Sequence, residues 1–117
     1  VERPPFIDIG NVELRRLLED GVRIVDIRTA RQWTGTGTIR GSERFTAFDE
    51  YGNLLPSFLP SLQALAPPDE ELILISQWGR GSRLLAGMLA EGAGYGQIYN
   101  VTEGMGKWIA EGYPVSR

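Results

Sequence analysis

The sequence predicts one α/β domain, built on a small, mainly parallel sheet with helices on both faces. Three observations carry that expectation. Strand-like runs at Arg23–Ile27, Leu72–Ile75 and Gln97–Val101 alternate with segments of helical periodicity, the signature of βαβ crossovers. The middle run, Leu-Ile-Leu-Ile, is apolar throughout, as suits a strand covered on both faces. And a chain of 117 residues fits a single domain that buries roughly two-thirds of its unfolded surface, with no repeat or linker to divide residues 1–117.

Each element has its own reason. Asn11–Gly21 reads as a helix: Asn11 is a candidate N-cap, Leu14, Leu17 and Leu18 form the apolar stripe, and Gly21 is a stop. Arg23–Ile27 follows as a strand rich in β-branched residues. Ala30–Trp33 is expected to make one helical turn, and Thr34–Thr38, alternating Thr and Gly, a flexible or turning segment. Ser57–Leu65 reads as a helix with Pro60 in its first turn, broken by Pro67-Pro68-Asp69. After the strand Leu72–Ile75 a helix is expected from Ser82 to the glycines at 92, 94 and 96, then a strand over 97–101. A glycine-punctuated turn, Glu103–Gly106, leads into a last helical segment, Lys107–Gly112, and Pro114 ends regular structure.

Composition excludes several functions. Lys and Arg number 12 against 15 acidic residues, a net charge of −3 with no basic run, so a nucleic-acid partner is not expected. The absence of cysteine and histidine removes thiol redox motifs, cysteine proteases, Ser-His-Asp hydrolases and the usual zinc sites. No apolar run approaches the roughly 18 residues of a membrane-spanning helix, so the chain is expected to be soluble. Its first residue, Val1, is compatible with a processed form or an excised domain.

In parallel sheets ligands sit at the carboxyl ends of strands, which directs attention to Ser76-Gln77-Trp78-Gly79-Arg80-Gly81-Ser82, between strand and helix. A dinucleotide fingerprint fails there because Leu84 occupies the place of the third glycine. A Walker loop fails because no lysine follows Gly81. Neither a cofactor nor a metal is therefore expected. The remaining reading is an anion cradle, in which loop N–H groups and the following helix N-terminus face whatever sits at position 76.

Four blocks in order complete the picture: Ile24-Val25-Asp26-Ile27-Arg28-Thr29; Trp33 to Ser42 with Gly37-Thr38-Ile39-Arg40-Gly41-Ser42; Leu72 to Ser82; and Tyr99-Asn100-Val101 with Glu103-Gly104, Trp108 and Gly112-Tyr113-Pro114-Val115. Together the chain resembles a single-domain rhodanese, a sulfurtransferase, from end to end. The blocks are similar to that family's D-x-R strand end, its G-H-I-x-G-A/S block, its active-site loop and its V-x-x-G-G…W…G-Y/F-P-V ending. The resemblance implies that residue 76 is the sulfur acceptor, that Gln77 to Ser82 form the anion-binding loop, with Arg80 near the donor, and that Asp26 and Arg28 support the turn. It also implies a small sulfur-containing anion, or a thiol or cyanide acceptor, as partner.

Two departures from the family pattern stand out. The family's first loop residue is cysteine, and here it is Ser76; the family's C-R-x-G-x-R-S/A loop has lost one arginine and moved the other to position 80. A thiol of pKa about 8.5 is readily made anionic by a helix N-terminus and nearby Arg. A serine hydroxyl needs an adjacent base, and the chain has no histidine. The chain is therefore expected to be inactive in sulfur transfer as it stands. Two histories fit: an engineered Cys-to-Ser form of an active enzyme, or a natural, non-catalytic module that binds an anion or a partner protein through residues 76–82. A cysteine codon at 76 in the encoding gene would eliminate the second.

Of the other residues, Arg83 is expected to be solvated, Trp78 to wall or plug the loop, and Trp33 and Trp108 to lie in or beside the core. Asn100-Val101-Thr102 matches the N-glycosylation pattern but falls in a predicted strand and is discounted. The length and the Thr46–Asp49 region are similar to exported bacterial rhodaneses, which leaves bacterial cytoplasm or periplasm as the compartment.

Overall fold

The computed structural model of the chain describes residues 5–117. In order, the elements are β1 (Ile7–Ile9), α1 (Asn11–Glu19), β2 (Arg23–Asp26), α2 (Ala30–Thr36), β3 (Glu43–Arg44), α3 (Phe58–Leu65), β4 (Leu72–Ile75), α4 (Arg80–Gly92), β5 (Ile98–Val101) and α5 (Gly104–Ala110). The sheet runs β1-β5-β4-β2-β3 and every pairing is parallel, so β4 is its middle strand. Val25 lies opposite Leu74, and Leu74 opposite Asn100, which aligns the carboxyl ends of β2, β4 and β5.

Side chains alternate across a strand, so β4 feeds two cores. Leu72 and Leu74 join Val25 and Ile98 beneath α3 and α4, packing on Phe58, Leu62, Leu85, Leu89 and Tyr95. Ile73 and Ile75 join Ile9, Ile24 and Val101 beneath α1 and α5, packing on Leu14, Leu17, Met105 and Trp108. All four β4 residues are completely buried, and at about 1.5–3 kcal/mol for each such side chain they anchor the strand that carries the loop.

Several boundaries differ from the sequence expectation. Asn11 is not the N-cap of α1; Gly10 is, without a side-chain cap, and Asn11 Nδ2 instead donates to Glu111 Oε1 at 2.6 Å. The helix at Ala30 does not stop after one turn. Thr29 and Gln32 form a reciprocal capping box that closes its start, and the helix runs through Gly35 to Thr36, where a flexible segment was expected. α4 begins at Arg80 rather than Ser82, and α5 at Gly104 rather than Lys107. Pro60 occupies the third position of α3, where no intrahelical donor is lost. The strands β1 and β3 were not anticipated: β3 is only two residues long, and β1 is an edge strand whose Ile7 is exposed.

Candidate active-site loop

The loop leaves the carboxyl end of β4 at Ser76 and turns through Gly79 into α4. Gly79 has φ +90°, and a Cβ there would run into the carbonyl of Thr102, so the turn requires glycine. A second glycine holds the loop from outside. Gly104 has φ +64°, and any side chain on it would strike the carbonyls of Ser76 and Gln77. With that space clear, Met105 N–H donates to Ser76 O and Gly106 N–H to Gln77 O, both at 2.9 Å. The first turn of α5 thus uses its spare donors to fix the loop's carbonyls. Trp78 lies against Gly106, where a Cβ would penetrate the indole ring, and its other surface is open: the residue is 66% exposed. It does not plug the loop.

Inside the turn, the amides of Gly79 and Ser82 both donate to Ser76 Oγ, at 3.1 and 3.2 Å. Ser82 Oγ lies 2.9 Å from Ser76 Oγ and 2.6 Å from Asn100 Oδ1. Asn100 Nδ2 donates to Asp8 Oδ1 at 2.9 Å, and since a carboxylate only accepts, this fixes the amide with its oxygen toward Ser82. The proton positions follow from that orientation. Ser82 donates to Asn100, so Ser76 donates to Ser82. A hydroxyl has one donor and two lone pairs, and Ser76 spends all three within the protein. Burial pushes the Asp8 carboxyl up, but hydrogen bonds from Asn100 and Arg83 and the Arg83 charge outweigh it, and the group lies below its ordinary value.

Asp26 and Arg28 are both buried. Arg28 grips the carboxylate through Nε and Nη2, with Nη2 to Oδ2 at 2.9 Å, while its Nη2 also reaches Gly37 O and its Nη1 reaches Thr36 Oγ1 and Gln77 Oε1. The guanidinium is saturated. It ties the end of β2, the end of α2 and the loop together, and has no donor left for a ligand. Gln77 is thereby turned inward.

In front of Ser76 lies a shallow cavity of about 280 Å³, walled by Ile27, Phe48 and Trp78 and bordered by Arg80. Arg80 is exposed and, among the described residues, makes neither an ion pair nor a side-chain hydrogen bond. Arg83, by contrast, pairs with Asp8 and lies over the Phe6 ring, away from this cavity. Cavities of about 580 and 740 Å³ elsewhere contain no loop residue. Asn100, Asp8, Thr36 and Phe48 are the site neighbours that sequence reasoning missed. Asn100 had one available signal, a polar residue inside an otherwise apolar strand; Asp8 and Phe48 had none.

A central-strand loop thus focuses two backbone amides on one side-chain atom of an α/β scaffold. Comparison with family models is specific: the rhodanese-like domain matches residues 11–111, and the chain belongs to that family. No curated protein gives a significant match. Among solved structures, a rhodanese-like domain protein from Staphylococcus aureus is 23% identical with a TM-score of 0.70, covering 95% of this chain and 99% of its own. A Mycobacterium tuberculosis protein is 23% identical with a TM-score of 0.76, over 93% and 96% of the two chains. The polysulfide-sulfur transferase homodimer of Wolinella succinogenes is 19% identical with a TM-score of 0.74, over 96% and 79%. At such identities these likenesses show the shared fold.

Proposed function

We propose that this chain is a rhodanese-like domain of sulfurtransferase type whose transfer chemistry is silent because Ser76 stands where the sulfur-accepting cysteine belongs. The observation that carries the reading is the convergence of the Gly79 and Ser82 amides on the side-chain atom of residue 76. With cysteine there, the thiolate would attack the outer sulfur of thiosulfate or a persulfide. A sulfur–sulfur bond forms, the donor's own sulfur–sulfur bond breaks, and sulfite or a thiolate leaves with the electron pair. An acceptor thiolate or cyanide then attacks the outer sulfur and returns the cysteine thiolate. Serine cannot enter this cycle. Its proton is held by Ser82, the nearby Asp26 is committed to Arg28, and Asp8 is separated by Ser82 and Asn100. The test is Ser76→Cys, incubated with thiosulfate and read by intact mass. The variant is expected to gain one sulfur atom, removable by cyanide, while the parent gains none. A variant that folds and gains no sulfur overturns the reading.

A second reading keeps serine: the domain works by non-covalent binding of an anion or a partner protein at the loop, supported by the exposed Arg80 that borders the cavity. Gln77 engaged by Arg28, the arginine at position 80 and the missing side chain at 81 all fit a loop shaped for something other than the family's substrates.

A further inference from the structure

A cavity of about 740 Å³ lies away from the loop, between α1 and the C-terminal tail, and none of residues 76–82 lines it. Its floor is apolar and buried. Ile39 and Trp108 are each 4% exposed, and the indole N–H of Trp108 is spent on Pro114 O at 2.9 Å. The tail forms one wall and is pinned there: Thr38 N–H donates to Ser116 O at 2.9 Å and Ser116 N–H to Thr38 O at 2.7 Å, which sets Pro114 and Val115 along the cavity. The helix α1 forms the other wall, with Arg15, Leu18 and Glu19 on one face at i, i+3 and i+4. Such a space is preformed and falls within the size range of small-molecule sites.

The charges sit on the rim. Among the described residues, neither Arg15 nor Arg40 makes an ion pair or a side-chain hydrogen bond. The Arg15 guanidinium is steadied over the Tyr113 ring, 5.1 Å from its centroid, a contact that does not occupy its N–H groups. Arg40 also borders the adjoining cavity, where Glu43 and Glu70 are held by Arg23. Against these two cations the rim sets one carboxylate, Glu19. A hydrocarbon body with one negative head satisfies both the floor and the rim; a small polar anion would leave the floor wetted, and a cation would meet two guanidinium groups. The walls are irregular and largely aliphatic, which a flexible chain can follow. We propose that this cavity binds an aliphatic carboxylate of medium chain length, its chain over Ile39, Trp108 and Val115 and its head at Arg15 and Arg40. The inference is independent of what residue 76 does.

The test titrates the unmodified chain with octanoate, octylammonium and acetate and follows assigned NMR resonances. Octanoate is expected to shift the Trp108 indole and Ile39 amide signals while leaving those of the Trp78 indole and the Gly81 amide in place. It should bind at least about tenfold more tightly than octylammonium, which has the same chain and the opposite charge, and than acetate, which has the head alone; tenfold is the worth of one charge-assisted contact or of one modest apolar burial. The double variant Arg15→Gln with Arg40→Gln changes only exposed side chains and should weaken octanoate by at least about tenfold with an unchanged melting temperature. Glu19→Gln, which removes the opposing charge, should tighten it. The proposal is overturned if octanoate does not bind, if octylammonium binds as tightly, if the shifts fall on Trp78 and Gly81 and not on Trp108, or if the double variant binds octanoate as the parent does.

Discussion

On the reading proposed above, one atom at position 76 separates a silent domain from a sulfur acceptor, and its neighbours account for the separation. Two amides point at it, which suits an anion; a hydroxyl partner, Ser82, is held by Asn100 as an acceptor, which suits a neutral donor. Serine satisfies this arrangement completely. The second residue-level consequence concerns Asp26 and Arg28. Because the pair is buried, Asp26→Asn leaves a guanidinium with its charge uncompensated, a loss expected at about 3–5 kcal/mol and read as a lower urea midpoint. A loss under about 1 kcal/mol, the worth of an exposed pair, would refute that account. The resemblance placed both residues in a supporting role, but no local pattern announced that Arg28 would also hold Gln77 and the end of α2.

At the scale of elements, the glycines of the loop divide into required and dispensable. Gly79 and Gly104 lie at positive φ against backbone carbonyls, so Gly79→Ala or Gly104→Ala should cost more than the roughly 1 kcal/mol of strain alone. Gly81→Ala should do the opposite. Its backbone is helical and its Cβ fits, so thermal unfolding should show a gain of about 0.5–1 kcal/mol. A destabilised Gly81→Ala would mean that the space above it is not open. These roles also show what was legible. The core strand β4, its loop and α4 announce themselves through an apolar run, glycines and helical periodicity, but the start of α4 was misplaced because its N-cap is a left-handed glycine with no capping side chain. Likewise α5 begins in what reads as a glycine-rich turn, since its glycines serve close approach to the loop and not flexibility. The edge strand β1 is short and half-polar, and only its pairing with β5 makes it a strand.

Across the whole molecule, stability responds to pH through groups far apart in sequence. Asp8, in β1, has a folded pKa below its usual 3.8, because its bonds to Asn100 and Arg83 exceed the cost of burial. Its contribution is therefore present above that value and is lost as pH falls through the lower, folded one. In melting curves the advantage of the parent over Asp8→Asn should shrink below pH about 3.8 and be constant near neutrality. Tyr95 behaves in the reverse sense. Burial, then the Glu70 charge, raises its phenol above 10.0, so its contribution is whole below that pH and is lost as pH rises through the folded value. Its hydroxyl donates to Ala66 O at 2.8 Å, so alkaline unfolding should begin at a higher pH in Tyr95→Phe than in the parent.

The same whole-molecule logic, strands and helices arranged to aim two amides at one atom, is tested most directly by the acidity of a thiol placed there. The chain has no cysteine, so Ser76→Cys carries a single thiol and its titration, followed by thiolate absorbance, needs no deconvolution. Two amide donors and the start of α4 should stabilise the thiolate and bring its pKa below the free value of about 8.5. A value at or above that of free cysteine in the folded variant would contradict the central claim that this loop is built to hold an anion at position 76.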